Sequence, residues 1–119
     1  MGDIRAVQWS NRALVLIDQT ELPTTETYVT CSRVDDVVDA IIRLVVRGAP
    51  ALGAVGGYGV AVAMLQGERE KWDAARLESE IIRIRDARPT AVNLAWGVDR
   101  VRPMVAGGVE EVLAEADRI

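Results

Sequence analysis

Two arginines in this 119-residue chain stand next to predicted helix starts, which are places where an anion is favoured. Arg47 and Gly48 precede a helix expected to begin at Pro50, and Arg88 is followed by Pro89 and a second helix start. The first turn of a helix has unpaired N–H groups and a partial positive charge. Glycine lets the backbone approach a ligand, and a guanidinium matches the oxygens of a phosphate. The two stretches are therefore candidates for one shared phosphate site.

Each of these arginines also has an ordinary structural role open to it. Its side chain would then lie in solvent or pair with an acidic residue, namely Asp35, Asp39 or Asp86. Residue spacing does not decide between this role and anion binding. Gly57 and Gly59 lack the third glycine and the preceding strand of a dinucleotide-binding loop, so we interpret them as packing residues.

Composition restricts the other chemistry that this chain can perform. It has no histidine, which excludes histidine-based triads and most zinc sites. Its single cysteine, Cys31, cannot form an internal disulfide and indicates a reducing compartment, the cytoplasm. Because Cys31 lies in an apolar strand pattern, we expect a buried and unreactive thiol. Asp18 lies in a predicted turn and is not interpreted as a catalytic carboxylate.

Charge and hydropathy exclude two classes of partner. Eighteen acidic residues against fourteen basic ones give a net charge of −4 without a basic run, so we expect no nucleic-acid binding. Half of the residues are apolar but only 4% are aromatic, which predicts a core of Ala, Val, Leu and Ile. The uncharged stretch 48–66 is rich in glycine and contains Pro50, so it is interpreted as a buried helix rather than a membrane span. Trp9, Trp72 and Trp96 are interpreted as packing residues.

The elements that must hold the candidate site follow from hydrophobic periodicity. Three short β-type runs, at 7–9, 13–17 and 28–31, are separated by turn residues and predict an antiparallel meander. From Ser32 the pattern changes to helical spacing, with a capping box from Ser32 to Asp35. We therefore predict an α+β fold, in which a small three-stranded antiparallel sheet is followed by a bundle of four to five helices.

Glycine, proline or a capping residue marks the ends of five predicted helices. The first two helices run from Ser32 to Val46 and from Pro50 to near Gly67, and the third covers 74–84 and is closed off by Arg88–Pro89. The fourth runs from a cap at Thr90 to Pro103. The fifth begins at Val109, after the break at Gly107–Gly108, and runs to Ile119. Because the chain would then end inside a helix, we expect residues 1–119 to be the N-terminal domain of a larger protein.

The two arginine-containing stretches resemble the signature motifs of a known family. Residues 46–53 read Val-Arg-Gly-Ala-Pro-Ala-Leu-Gly, and residues 88–94 read Arg-Pro-Thr-Ala-Val-Asn-Leu. Both are similar to motifs of the methylthioribose-1-phosphate isomerases. That family is related to the regulatory subunits of translation initiation factor two-B and to ribose-1,5-bisphosphate isomerases. The resemblance extends from Val7 to Val101.

The resemblance implies a reaction and a set of binding residues. Arg47, Gly48, Ala49 and Arg88 match the residues that bind the sugar phosphate in these isomerases. The reaction converts 5-methylthioribose 1-phosphate to 5-methylthioribulose 1-phosphate in methionine salvage, and it uses no cofactor. The family's catalytic Cys and Asp lie in a larger, Rossmann-like C-terminal domain that is absent here.

No catalytic residue is assigned in this chain, because Cys31 and Asp18 match neither catalytic motif of the family. The partners that the resemblance implies are the sugar phosphate and the missing C-terminal domain. We also expect a homodimer, because the face that meets the missing domain would leave apolar surface uncovered. Two alternatives stay open: a non-catalytic regulatory subunit related to the initiation factor, and a ribose-1,5-bisphosphate isomerase.

Overall fold

A small antiparallel sheet opens the fold, which a computed structural model describes for residues 7–17, 28–43 and 49–119. Its strands are β1 (Val7–Ser10), β2 (Ala13–Ile17) and β3 (Tyr28–Cys31), in the spatial order β1-β2-β3. Val7 pairs with Leu16, and Leu14 pairs with Cys31. The predicted three-stranded meander is confirmed.

A two-residue turn joins β1 to β2 and fixes which face of the sheet is buried. Asn11 and Arg12 both have positive φ angles, 54° and 63°. Two successive residues of this kind form a turn whose twist matches that of the flanking strands. With this register, Leu14 and Leu16 point to the same face and are completely buried.

Five α-helices follow the sheet, as predicted. They are α1 (Val34–Ile42), α2 (Ala49–Glu70), α3 (Ala74–Arg85), α4 (Val92–Val101) and α5 (Val109–Ala116), with a 3₁₀ helix over Arg102–Gly107. Helix α2 lies at the centre and contacts the other four helices and strands β1 and β2. Its apolar side chains, such as Val55 and Val60, are completely buried. The predicted α+β fold is confirmed.

The end of α2 differs from the prediction. Gly67 does not end the helix, which continues to Glu70. Lys71 adopts a positive φ of 59°, and the N–H of Trp72 donates to the carbonyl of Gly67 at 2.9 Å. This is the pattern of a Schellman motif, in which the chain folds back over the last turn. The indole of Trp72 lies over Gly67, so the glycine accommodates the returning side chain.

Helices α2 and α4 cross with their backbones in contact. A Cβ atom at Gly97 would overlap the carbonyl oxygen of Gly53, and one at Gly56 would lie 2.5 Å from the carbonyl oxygen of Leu94. Farther along, a Cβ at Gly57 would lie 3.4 Å from Val101. A Cβ at Gly53 would also lie 3.6 Å from the carbonyl oxygen of Asn93, so from this contact to the one between Gly57 and Val101 the chain advances in the same direction along both helices. The N-terminal ends of α2 and α4 therefore lie at the same end of the molecule.

Three predicted helix starts are displaced by one or two residues. Helix α1 has Arg33 rather than Ser32 at its N-cap, because Ser32 lies outside the helix and its N–H donates to Asp36 at 3.2 Å. Asp36 therefore takes the place predicted for Asp35. Helix α2 begins at Ala49, one residue before Pro50. Helix α4 begins at Val92 after Ala91, and Thr90 does not cap it.

The last helix does not continue to Ile119 as predicted. It begins at Val109, after Gly108 with a φ of 104°, and ends at Ala116. Ile119 instead packs against the core, where its side chain lies over Gly53 and Gly57 of α2. Helix α1 also ends earlier than predicted, at Ile42 with Arg43 as its C-cap instead of at Val46. Gly48, the residue predicted to end it, lies outside the described residues, as do the predicted turns within 18–27.

The three tryptophans have different surroundings. Trp9 stacks on Tyr58 with ring centroids 5.8 Å apart, and Trp72 covers Gly67, so both are packing residues as predicted. Trp96 also contacts α2 near Gly53, but 49% of it is exposed, so its interpretation as a packing residue holds for one side only. None of the helices in the described ranges is both long and apolar enough to cross a bilayer.

Candidate functional site

Arg88 lies in the turn that connects α3 to α4. The chain leaves α3 with the N–H of Ala87 bonded to the carbonyl of Ile84 at 3.2 Å. The carbonyl of Arg88 then accepts from the N–H of Ala91 at 2.8 Å. This closed turn occupies residues 88–91, which explains why the helix starts only at Val92. The side chain of Arg88 is half-buried.

The guanidinium of Arg88 differs from those of the other described arginines in having no acidic or carbonyl partner within the described ranges. Each of the others contacts a carboxylate or a carbonyl oxygen: Arg12 with Glu68, Arg33 with Glu70, Arg43 with Asp39, Arg69 with the Ser32 carbonyl, Arg76 with Glu80, Arg83 with Asp35 and Glu80, Arg85 with Asp99, Arg100 with Glu115, Arg102 with Glu78, and Arg118 with Glu115. A cation without a counter-charge among the described residues is a candidate for contact with an external anion.

The three acidic residues considered as partners for Arg88 are engaged elsewhere. Asp35 accepts from Arg83 at 2.9 Å, Asp39 from Arg43 at 2.8 Å, and Asp86 lies 3.4 Å from Arg85. The structural alternative for Arg88, an ion pair with one of these carboxylates, is therefore not observed among the described residues.

A bidentate ion pair anchors the turn that carries Arg88. The Nε and Nη2 atoms of Arg85, at the end of α3, donate to the two carboxylate oxygens of Asp99 on α4, at 2.8 and 2.9 Å. The hydrogen bonds from Arg85 hold the pKa of Asp99 below its usual value, so the pair stays charged. Sequence reasoning missed this pair, because the two residues lie on separate helices with no local pattern linking them.

The first turn of α4 has no side-chain cap from the residues that the structure describes. The N–H of Leu94 donates to the carbonyl of Ala91 at 3.0 Å, so the N–H groups before it are the ones that remain for a ligand or for water. Because α2 and α4 start at the same end of the molecule, the beginning of α2 at Ala49 is on this side as well. Arg47 and Gly48 lie outside the described residues, and only the backbone of Ala49 is described.

Cys31 is completely buried, as predicted. Burial, with a smaller contribution from Asp36 and Asp39, raises the pKa of its thiol to about 12. A nucleophilic cysteine needs the thiolate form, so this thiol is inert at neutral pH. Asp18 lies outside the described residues. Where side chains are described, no group of three potential ligands is placed to hold a metal ion.

Two neighbouring clefts lie between the sheet and α5, away from Arg88. They share Trp9 and Asp117 and have volumes of about 400 and 450 Å³. Tyr58 donates a hydrogen bond to Asp117 at the wall of one of them. The other has a mixed lining, in which Leu65 and Leu113 lie beside the charged residues Arg12 and Glu110. Arg88 lines neither cleft.

Comparison with known proteins gives sequence relatives along nearly the whole chain. A probable bifunctional methylthioribose-1-phosphate isomerase/methylthioribulose-1-phosphate dehydratase from Nocardia farcinica is 45% identical over 114 residues, which are 95% of this chain. A putative methylthioribose-1-phosphate isomerase from Methanosphaera stadtmanae is 46% identical over 109 residues, 92% of this chain. Over most of its own length, the chain is therefore similar to proteins named methylthioribose-1-phosphate isomerase. No protein-family profile matches it.

Two solved structures are also similar to this chain. The 5-methylthioribose 1-phosphate isomerase from Pyrococcus horikoshii matches 99% of this chain with a TM-score of 0.85 and 29% identity. The delta subunit of translation initiation factor eIF-2B from A. fulgidus matches 98% of it with a TM-score of 0.83 and 40% identity. Solved proteins of both names therefore contain the fold described above.

The chain is much shorter than the relatives it matches. It spans 21% of the N. farcinica protein and 32% of the M. stadtmanae protein. It likewise spans 36% of each of the two solved structures. The similarity thus concerns about a third or less of each relative.

Proposed function

We propose that this chain is the substrate-phosphate-binding part of an aldose–ketose isomerase that converts 5-methylthioribose 1-phosphate to 5-methylthioribulose 1-phosphate. Arg47, Gly48, Ala49 and Arg88 bind the phosphate. The observation that carries the proposal is the Arg88 guanidinium, which has no counter-charge among the described residues, beside the shared end where α2 and α4 begin. The names of the relatives supply the reaction and the substrate.

The proposed site combines two sources of positive potential. A helix N-terminus stabilises an anion by up to about 2 kcal/mol in favourable geometry. A hydrogen bond to a charged group adds roughly 1.5–3 kcal/mol. One phosphate held by the first turns of two helices and by Arg47 and Arg88 would receive both. We assign no proton-transferring group to this chain, so the chemistry falls to the C-terminal, Rossmann-like domain of the parent protein, in the cytoplasm.

A regulatory subunit like the initiation factor is the second candidate. The identity of 40% to the A. fulgidus protein over 98% of this chain favours it. Such a subunit would use the same fold to bind a nucleotide, a sugar phosphate or a protein partner without turnover. A ribose-1,5-bisphosphate isomerase would bind a related sugar phosphate and is separated from the first proposal only by substrate choice.

Titration calorimetry with 5-methylthioribose 1-phosphate tests the phosphate site. Arg88→Ala should weaken binding by about 2 kcal/mol or more, because the charge-assisted hydrogen bonds are lost. Arg88→Lys should not restore it, since the planar two-pronged donor is missing. Arg118→Ala is the matched control, because it removes the same charge from a side chain that is 69% exposed.

Equal affinity in Arg88→Ala and the wild type would contradict the assignment of Arg88. Ribose 1,5-bisphosphate and adenosine monophosphate, titrated in parallel, separate the alternatives. Tighter binding of the bisphosphate supports the second isomerase, and tighter binding of the nucleotide supports the regulatory subunit.

We further propose that the isolated chain forms a homodimer, through the face that contacts the C-terminal domain in the parent protein. The support is an apolar strip on α4, where Val92 is 75% exposed and Trp96 is 49% exposed. These residues are four apart and lie on one face of the helix. Sedimentation at tens of micromolar should show a dimer that Trp96→Glu converts to a monomer. A wild-type chain that remains monomeric would contradict the proposal.

A further inference from the structure

One of the two clefts beside α5 has both a basic and an acidic side chain at its rim, and we call it the hairpin cleft. Its walls include Trp9 and Arg12 from the β1–β2 hairpin, Leu65 from α2, and Glu110 and Leu113 from α5. Its volume of about 400 Å³ lies within the range of small-molecule sites. The hairpin cleft contains no residue of the proposed phosphate site.

The interior of the hairpin cleft is apolar. Leu65 is 4% exposed, and Val109 and Leu113, which line the same cleft, are half-buried. Trp9 forms another part of the wall, and its indole is held by stacking on Tyr58, with ring planes 16° apart. A wall of this kind favours an apolar group, because contact with it removes hydrocarbon surface from water.

The two charged side chains at the rim have little to neutralise them. Glu110 forms no hydrogen bond or ion pair with the part of the chain that the structure describes. The guanidinium of Arg12 lies 3.9 Å from the carboxylate of Glu68, which is beyond hydrogen-bond distance, and these side chains are 65% and 75% exposed. Both rim charges are therefore open to a ligand in the cleft.

The backbone of Arg12 gives an independent reason to connect its side chain with the cleft. It is the second residue of the hairpin turn and has a φ of 63°. Glycine and asparagine are favoured in such a turn, whereas most other side chains are strained there. The needs of the turn therefore do not explain an arginine at this position. The strain fits a guanidinium that is kept for a contact in the cleft.

We propose that the hairpin cleft binds a free α-amino acid with an apolar side chain. Arg12 contacts the α-carboxylate, Glu110 contacts the α-ammonium group, and the apolar side chain lies against Leu65 and Leu113. A ligand with a single charge would leave one rim charge without a partner, whereas a free amino acid carries both charges. A residue inside a peptide carries neither. Arg12 and Glu110 are exposed and long, so each can adjust to its group on the ligand.

Binding of L-leucine tests the proposal, and NMR can follow it through the indole N–H of Trp9 and the amide of Leu113. N-acetyl-L-leucine lacks the ammonium group and L-leucinamide lacks the carboxylate, so each should bind about tenfold more weakly or worse. Glycine should also bind more weakly, because it has both charges but no apolar side chain. No binding of L-leucine at millimolar concentration, or equal binding of either derivative, would overturn the proposal.

Two variants assign the charged contacts. Arg12→Asn removes the guanidinium and introduces a residue that suits the positive φ, so the hairpin should stay folded. It should weaken L-leucine binding about tenfold and leave L-leucinamide binding unchanged, because that ligand has no carboxylate. Glu110→Gln should likewise weaken L-leucine binding and leave N-acetyl-L-leucine binding unchanged. Glu111→Gln is the matched control, since Glu111 is the next residue on α5 and does not line the cleft.

The pattern across ligands separates a direct contact from a structural effect. Selective losses in Arg12→Asn and Glu110→Gln, with wild-type affinities in Glu111→Gln, support the proposal. An equal loss of L-leucine and L-leucinamide binding in Arg12→Asn would show that the turn, and not the guanidinium, matters, and would overturn the assignment of Arg12. Unchanged L-leucine affinity in Arg12→Asn and Glu110→Gln would overturn the site as a whole.

Discussion

At the scale of single residues, the surroundings of an arginine decide what it can bind. Arg85 and Arg88 are three residues apart, yet Arg85 is held by both oxygens of Asp99, while Arg88 has no carboxylate partner among the described residues. The paired arginine fixes the turn, and the other is available to contact an anion. Arg85→Ala should therefore weaken phosphate binding indirectly, through the turn, although its own guanidinium is neutralised by Asp99.

Cys31 gives a residue-scale prediction for alkaline pH. Its pKa is raised from 9.0 to about 12 by burial, so between these values the unfolded thiol loses its proton while the folded one keeps it. The unfolded state then binds fewer protons, and stability falls as the pH rises, by at most about 1.4 kcal/mol per pH unit. Below pH 9 the thiol is protonated in both states and contributes no pH dependence.

Denaturant unfolding of the wild type and of Cys31→Ala between about pH 8 and about pH 10.5 measures this effect. The difference in unfolding free energy between the two proteins should be constant up to about pH 9 and then shrink, because only the wild type carries the thiol. A difference that stays constant throughout would show that the folded thiol ionises as easily as the unfolded one.

At the scale of secondary-structure elements, the contact between α2 and α4 matters most. Gly53, Gly56 and Gly97 allow the two backbones to touch, and the direction of the contacts brings both helix starts to one end. The two signature motifs immediately precede or overlap those starts. Close packing of two helices is therefore what relates two stretches that are 40 residues apart in the sequence, at Gly48 and Arg88.

Two alanine substitutions on opposite sides of this crossing should have opposite effects. Gly97→Ala places a Cβ against the carbonyl of Gly53 and only 3.0 Å from its Cα, so the helices must separate. We expect a loss of about 2–4 kcal/mol in unfolding free energy. At Gly53 a Cβ meets its nearest neighbour, Ile119, at 3.4 Å, and alanine favours a helix more than glycine does.

Gly53→Ala should therefore be neutral or stabilising by up to about 1 kcal/mol, which makes it the matched control in the same contact. Thermal and denaturant unfolding of the two variants measures both effects. Similar stabilities for Gly97→Ala and Gly53→Ala would show that the helices do not approach each other as closely as the backbone distances indicate.

At the scale of the whole molecule, a small sheet and five helices form one core around α2. Buried apolar residues come from the sheet, such as Leu14 and Leu16, and from every α-helix. The same fold occurs in an isomerase and in an initiation-factor subunit, with TM-scores of 0.85 and 0.83. A fold shared by proteins with different names does not define the reaction, which depends on the groups at the site.

The isolated 119-residue chain should show no turnover of 5-methylthioribose 1-phosphate. Its only cysteine is buried with a pKa of about 12, and the chain has no histidine to transfer a proton. Product formation can be followed by NMR of the sugar, with a full-length relative assayed as the positive control. Turnover that persists after repeated purification and disappears in Cys31→Ser would contradict this prediction.

The sequence by itself determined the order and type of the elements, because each depends on local periodicity. Alternation of apolar residues predicted the strands, and spacing of three and four predicted the helices. The errors of the prediction from sequence lie at the ends of the helices. Thr90 does not cap α4 because the turn from Arg88 to Ala91 delays the helix, and Gly67 does not end α2 because Trp72 folds back over it.

The tertiary structure alone decided which charged and polar groups meet. Arg85 and Arg88 are the same residue type, so the sequence gives no reason why they should differ. In the structure, Arg85 pairs with Asp99, whereas Arg88 has no carboxylate partner among the described residues. Likewise, nothing in the local sequence predicts the hydrogen bond from the N–H of Val34 to the side chain of Gln66, 32 residues away. Such contacts depend on how the helices pack, and packing is set by close approaches, such as Gly97 against Gly53, between residues far apart in the chain.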